Sequence, residues 1–129
     1  MTPSTIPGHY PGRAPIDAYG NGGFRFASMS HKGSIIALPS GVWAWDINDP
    51  AHITIPALTR VFGEPRGGDF QFLLLGTGAS QVFPSPDVRK AFADCGIGLD
   101  VMTTGAAART YNVLLAEGRP LGAALIAVA

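Results

Sequence analysis

Residues 70–78 read Phe-Gln-Phe-Leu-Leu-Leu-Gly-Thr-Gly, and this stretch decides the fold. A nearly unbroken apolar run of this length, ended by glycine, is the pattern of a strand covered on both faces, as in parallel sheets. Downstream, Ser85 is a helix N-cap, Pro86 suits the first helical position and Gly96 stops the helix. Val88, Ala91, Phe92 and Cys95 form one apolar stripe on it. Residues 97–102 predict another strand, Thr103 or Thr104 caps a second helix over about 105–117 that stops at Gly118, and residues 121–128 predict a last strand. The order β-α-β-α-β implies parallel pairing through right-handed crossovers.

Upstream of residue 70 the period changes to two. Phe24, Phe26 and Ser28 alternate with Arg25, Ala27 and Met29, Ser30 to Gly33 reads as a turn, and residues 34–38 form a second strand broken at Pro39-Ser40-Gly41. Residues 42–47 alternate again, placing Trp43 and Trp45 on one face, which is either core or an exposed sticky patch. A short helix is expected over 54–62, with Thr54 as cap. The fold class is therefore α/β: three layers around a mixed central sheet, with an antiparallel N-terminal unit and a C-terminal β-α-β-α-β unit. Residues 1–15 carry Pro3, Pro7, Pro11 and Pro15, a spacing that predicts a flexible Pro/Gly-rich tail before a single α/β domain over 16–129.

Composition excludes several classes. The 129 residues hold nine Lys plus Arg against nine Asp plus Glu, so nucleic acid finds no basic footprint. Charged residues are only 14% of the chain, which leaves a surface easily desolvated against a partner. No apolar stretch reaches membrane-spanning length, so no membrane insertion is expected. No secretion signal or import sequence is evident, and a cytoplasmic location is expected. Cys95 is the single cysteine and reads as an inert core thiol. His9, His31 and His52 show no ligand spacing, and Asp46 and Asp49 read as turn caps, so no metal or cofactor is implied.

Candidate site residues gather at two turns. Gly76, Thr77 and Gly78 end one predicted parallel strand, and Thr103, Thr104 and Gly105 end the next. Open α/β sheets form their crevices at carboxyl ends of strands, and the helix starting near Gly105 would aim free N–H groups into that space. Arg109 and Asn112 share one face of that helix, with Arg109 placed to reach over the crevice. The bland reading is that both turns are tight strand exits and Arg109 is solvated. Catalysis would need a base or nucleophile there, and the nearby side chains are only threonines and Arg109, so no catalytic residue is assigned and the reading leans away from an enzyme.

The string Leu73-Leu74-Leu75-Gly76-Thr77-Gly78 is followed by Met102-Thr103-Thr104-Gly105, Thr110-Tyr111-Asn112-Val113-Leu114, Glu117-Gly118-Arg119 and Ala123-Ala124-Leu125-Ile126. With Gly22-Gly23-Phe24-Arg25 and the Trp45 strand upstream, this ordered set resembles a family of small domains of unknown biochemistry that includes mitochondrial respiratory complex I (NADH:ubiquinone oxidoreductase) assembly factors. The resemblance implies a non-catalytic protein-binding module in respiratory-complex assembly, with an unidentified protein partner. Members of that family can carry a cysteine where this chain has Ala108, so the resemblance offers no thiol at the crevice here. The alternative is a small-molecule or anion-binding domain, or an enzyme, that uses the crevice between the Gly76–Gly78 and Thr103–Gly105 turns. Nothing in the sequence addresses oligomeric state.

Overall fold

The computed structural model describes residues 9–129. Its strands are β1 (His9–Pro11), β2 (Ala18–Gly20), β3 (Gly23–Phe26), β4 (Met29–Lys32), β5 (Ser34–Leu38), β6 (Gly41–Trp45), β7 (Phe72–Gly76), β8 (Gly98–Met102) and β9 (Leu121–Leu125). The helices are α1 (Thr59–Phe62), α2 (Pro86–Asp94) and α3 (Thr104–Ala116). A six-stranded sheet runs β1-β6-β5-β9-β7-β8, and a three-stranded sheet runs β2-β3-β4. β7 is parallel to both β8 and β9, whereas β5 pairs antiparallel to β9, so the central sheet is mixed, as the sequence predicts.

The chain steps outward from β7 to β8 and then back past β7 to β9. Right-handed crossovers in opposite directions place their helices on opposite faces. Accordingly, one core holds α3 residues Ala107, Ala108 and Tyr111 with Leu74, Ala123, Leu125 and the small sheet's Phe24 and Phe26. The other holds α2 residues Val88 and Phe92 with Leu73, Leu75, Ala124, Trp45 and α1's Val61. Alternate residues of β7 and β9 feed alternate faces, which is why β9 is buried throughout and β7 from Leu73 onward. Trp45 belongs to the second core and its indole N–H donates to the Ala57 carbonyl at 2.8 Å, while Trp43 lies beneath the Arg60 guanidinium, 4.4 Å from the ring centroid. The Cys95 side chain, half-buried, packs against the same core.

Three local expectations need correction. The strand expected over 24–29 reverses at Ala27 and Ser28, which take left-handed φ of 51° and 63°; the residues read as a turn, Ser30 to Lys32, belong to β4. Gly33 alone keeps the turn role, with φ 95°. The helix expected over 54–62 is split into a 3-10 turn at Pro56–Leu58 and the single turn of α1. The tail also differs. Residues 1–8 lie outside the described residues, but β1 pairs with β6 as an edge strand, where the missing N–H of Pro11 is tolerated. Ala14 and Ile16 are buried in the first core, and Arg13 donates to the Asp69 carbonyl at 2.8 Å.

Asn112 secures this segment. Its Oδ1 accepts the Ile16 N–H and its Nδ2 donates to the Ile16 carbonyl, both at 2.7 Å, so one side chain satisfies a backbone unit as a neighbouring strand would. Asn112→Ala is expected to cost about 2 kcal/mol, the worth of two partly buried hydrogen bonds, read as a lower urea midpoint.

Tyr111 gives the fold an alkaline limit. Burial pushes its phenol up to about 12 from 10.0, with Arg13 pulling weakly the other way. The folded state thus favours the neutral phenol. Stability should be unaffected by this group below pH 10 and should fall between pH 10 and 12, by roughly 2–3 kcal/mol in all. Tyr111→Phe should flatten that limb of the stability–pH curve.

Candidate functional site

The two turns meet. Gly76 is in register with Met102 across β7 and β8, so both strands release their turns at the same end of the sheet. The Thr77 N–H donates to the Met102 carbonyl at 2.9 Å, and Gly78 and Thr104 exchange two bonds. The Thr104 N–H donates to the Gly78 carbonyl, and the Gly78 N–H donates to Thr104 Oγ1, each at 2.9 Å. Thr104 Oγ1 in turn donates to the Ile126 carbonyl at 2.6 Å. Three strand ends, those of β7, β8 and β9, are therefore tied through one hydroxyl. The side chain of Thr104 has 0% exposure.

These bonds tie the two turns to each other and to the end of β9. A Cβ at Gly76 would lie 2.9 Å from both Leu125 Cδ2 and Thr104 Cα, so the glycine admits α3 rather than a small molecule. Gly78 has φ 95°, a backbone shape that favours glycine for conformational reasons. Thr103 caps α3 by accepting the Ala106 N–H at 3.3 Å. The threonine hydroxyls of Thr77 and Thr104 donate to backbone carbonyls, which leaves neither poised as a nucleophile. Gly105 and Arg109 lie at the outer rim, where Arg109 Nη1 donates to the Tyr19 hydroxyl at 3.2 Å and that hydroxyl crowds Gly105. Asn112 is not with them; it holds Ile16. Among the described residues no group of His, Cys, Asp or Glu is arranged to hold a metal ion.

The lock has a product, the loop between β7 and α2. Thr77 Oγ1 donates to the Ser80 carbonyl at 2.6 Å and accepts the Val82 N–H at 3.0 Å. Gln81 Nε2 reaches the Val101 carbonyl of β8 at 2.8 Å, and Ser85 accepts the Val88 N–H as the cap of α2. A loop fixed at four points presents Val82 at 40% and Phe83 at 62% exposure. Phe83 is the most exposed large apolar side chain among the described residues. Sequence reasoning passed over it. The available signal was an aromatic held between Val82 and Pro84 in a loop with no periodic partner.

A family model described as a protein of unknown function, DUF498/DUF598, matches residues 16–126. An uncharacterized protein of Rhodobacter capsulatus is 35% identical over 91% of this chain and 87% of its own length. The mouse (Mus musculus) NADH dehydrogenase (ubiquinone) 1 alpha subcomplex assembly factor 3 is 32% identical over 95% of this chain. This chain spans 65% of that mouse protein's length. The crystal structure of an outer membrane protein from Bartonella henselae superposes with a TM-score of 0.87 at 50% identity, covering 94% of this chain and 100% of that one. Among the described residues of this chain no helix is long and apolar enough to cross a membrane.

Proposed function

We propose that this chain, which belongs to the DUF498/DUF598 family, is a non-catalytic protein-binding module acting in the assembly of a respiratory NADH dehydrogenase, and that its partner docks on the Val82-Phe83-Pro84 loop. The observation that carries the assembly role is the 32% identity to the mouse assembly factor over 95% of this chain. The loop reading rests on physics. An exposed aromatic on a pre-ordered backbone offers large apolar area at little entropic cost, which is the character of an interface anchor. In this reading Thr77, Thr103 and Thr104 are the scaffold of the anchor, and no ligand touches them.

The test uses the source cell. Deleting the gene should lower the amount of assembled respiratory NADH dehydrogenase on a native gel, and an unchanged amount would overturn the assembly reading. Phe83→Ala should reproduce the deletion by weakening partner binding by ~2 kcal/mol or more. Because Phe83 is mostly exposed, its removal should alter stability by no more than about 0.5 kcal/mol. A Phe83→Ala protein that restores full assembly would sink the loop as the docking site while leaving the assembly role intact.

A further inference from the structure

The three-stranded sheet carries a feature that neither the core nor the Phe83 loop uses. A concavity of about 350 Å³ lies over β2, β3 and β4, lined by Arg25, Lys32, Ser30 and Asn21 around Gly20 and Gly23. Register explains the shape. Gly20 pairs with Gly23 at the end of the small sheet, where neither residue adds a side chain to the hollow, and Lys32 closes the same row from β4. Gly23 also draws β3 close to β4, since a Cβ there would collide with the His31 carbonyl oxygen. Arg25 pairs with Ser30, which makes Arg25 and Lys32 diagonal neighbours on adjacent strands, near enough for both to reach one group between them.

The electrostatics are one-sided. None of the residues lining the concavity carries a carboxylate. Among the described residues the ion pair is Lys90 with Asp94, on α2, and residues 1–8 contain no Asp or Glu. Asp17, whose N–H donates to the Arg25 carbonyl, forms no ion pair with it and is not part of the lining. Two exposed cations at one hollow whose lining side chains include no carboxylate make its potential positive, and a positive hollow attracts an anion from outside. The guanidinium suits two oxygens of one phosphoryl group and the ammonium supplies a point charge to a third.

We propose that this concavity binds a phosphate group, either of a small soluble phosphate compound or of a phospholipid headgroup, through Arg25 and Lys32. Amide chemical shifts of the full chain are followed during titration with inorganic phosphate and pyrophosphate, with chloride at equal ionic strength as control. Sedimentation with phosphatidylglycerol vesicles, against phosphatidylcholine vesicles, forms the second arm. Saturable shifts confined to residues 18–32 are expected, weakened about tenfold by Arg25→Gln and again by Lys32→Gln, as loss of a charge-assisted bond predicts. Binding to anionic vesicles alone, lost in both variants, assigns the phosphate to a lipid and keeps the site. Should a variant fold poorly, protection of the wild-type chain from thermal unfolding by pyrophosphate, absent with chloride, supports the site independently. No saturable binding in either arm, or binding that survives the double substitution, overturns it.

Discussion

Thr104→Val is expected to destabilise the fold by roughly 2–5 kcal/mol, a large part of the 5–15 kcal/mol typical of a domain. Valine matches the shape of threonine, so packing is retained and the loss is polar. The hydroxyl donates to the Ile126 carbonyl and accepts the Gly78 N–H in a fully buried position. Removing it strands a backbone acceptor and a backbone donor together, and each carries its own desolvation penalty. Urea denaturation should show a lower midpoint at unchanged slope. Thr104→Ser should keep most of the stability. A loss below about 1 kcal/mol for the valine variant would mean that the freed backbone groups find other partners.

Gly76→Ala is expected to cost about 3 kcal/mol for a different reason. The new methyl group would meet Leu125 Cδ2 at 2.9 Å, Thr104 Cα at 2.9 Å and Thr104 Oγ1 at 3.1 Å. Leu125 is fully buried and has little room to turn away, and Thr104 Cα is backbone, so α3 must shift from β7. That shift also loosens the Gly78–Thr104 exchange, so the two substitutions act on one unit. Their combined cost should fall short of the sum, which a double-mutant cycle would measure.

These two residues also show where sequence reasoning reached its limit. The β-α-β-α-β half was legible because its signals are local: the apolar run to Leu75, the Ser85 cap with Pro86, and the Thr103 cap. The meeting of the turns followed from topology alone. What Gly76 accommodates was not legible, since an absent side chain reads alike whether it makes room for a ligand or for a helix. The hairpin at Ala27 and Ser28 escaped notice because neither residue favours positive φ, and the turn-forming Gly33 lay close by. Asn112 looked like a crevice residue because its partner, Ile16, is 96 positions away. The same distance concealed the docking of residues 13–16, where Pro15 argues for a tail until that amide is seen to hold Ile16.

The position of β9 bears on how the chain is made. It follows every other described strand in sequence, yet it lies between β5 and β7 at the middle of the six-stranded sheet. Until it emerges, the antiparallel sheet ending at β5 and the parallel pair β7–β8 have no hydrogen-bonded seam, and the apolar sides of both wait uncovered. Pairing across such sequence separation is slow, and exposed strand edges invite aggregation during the wait. β9 is thus the strand on which closure of the central sheet waits.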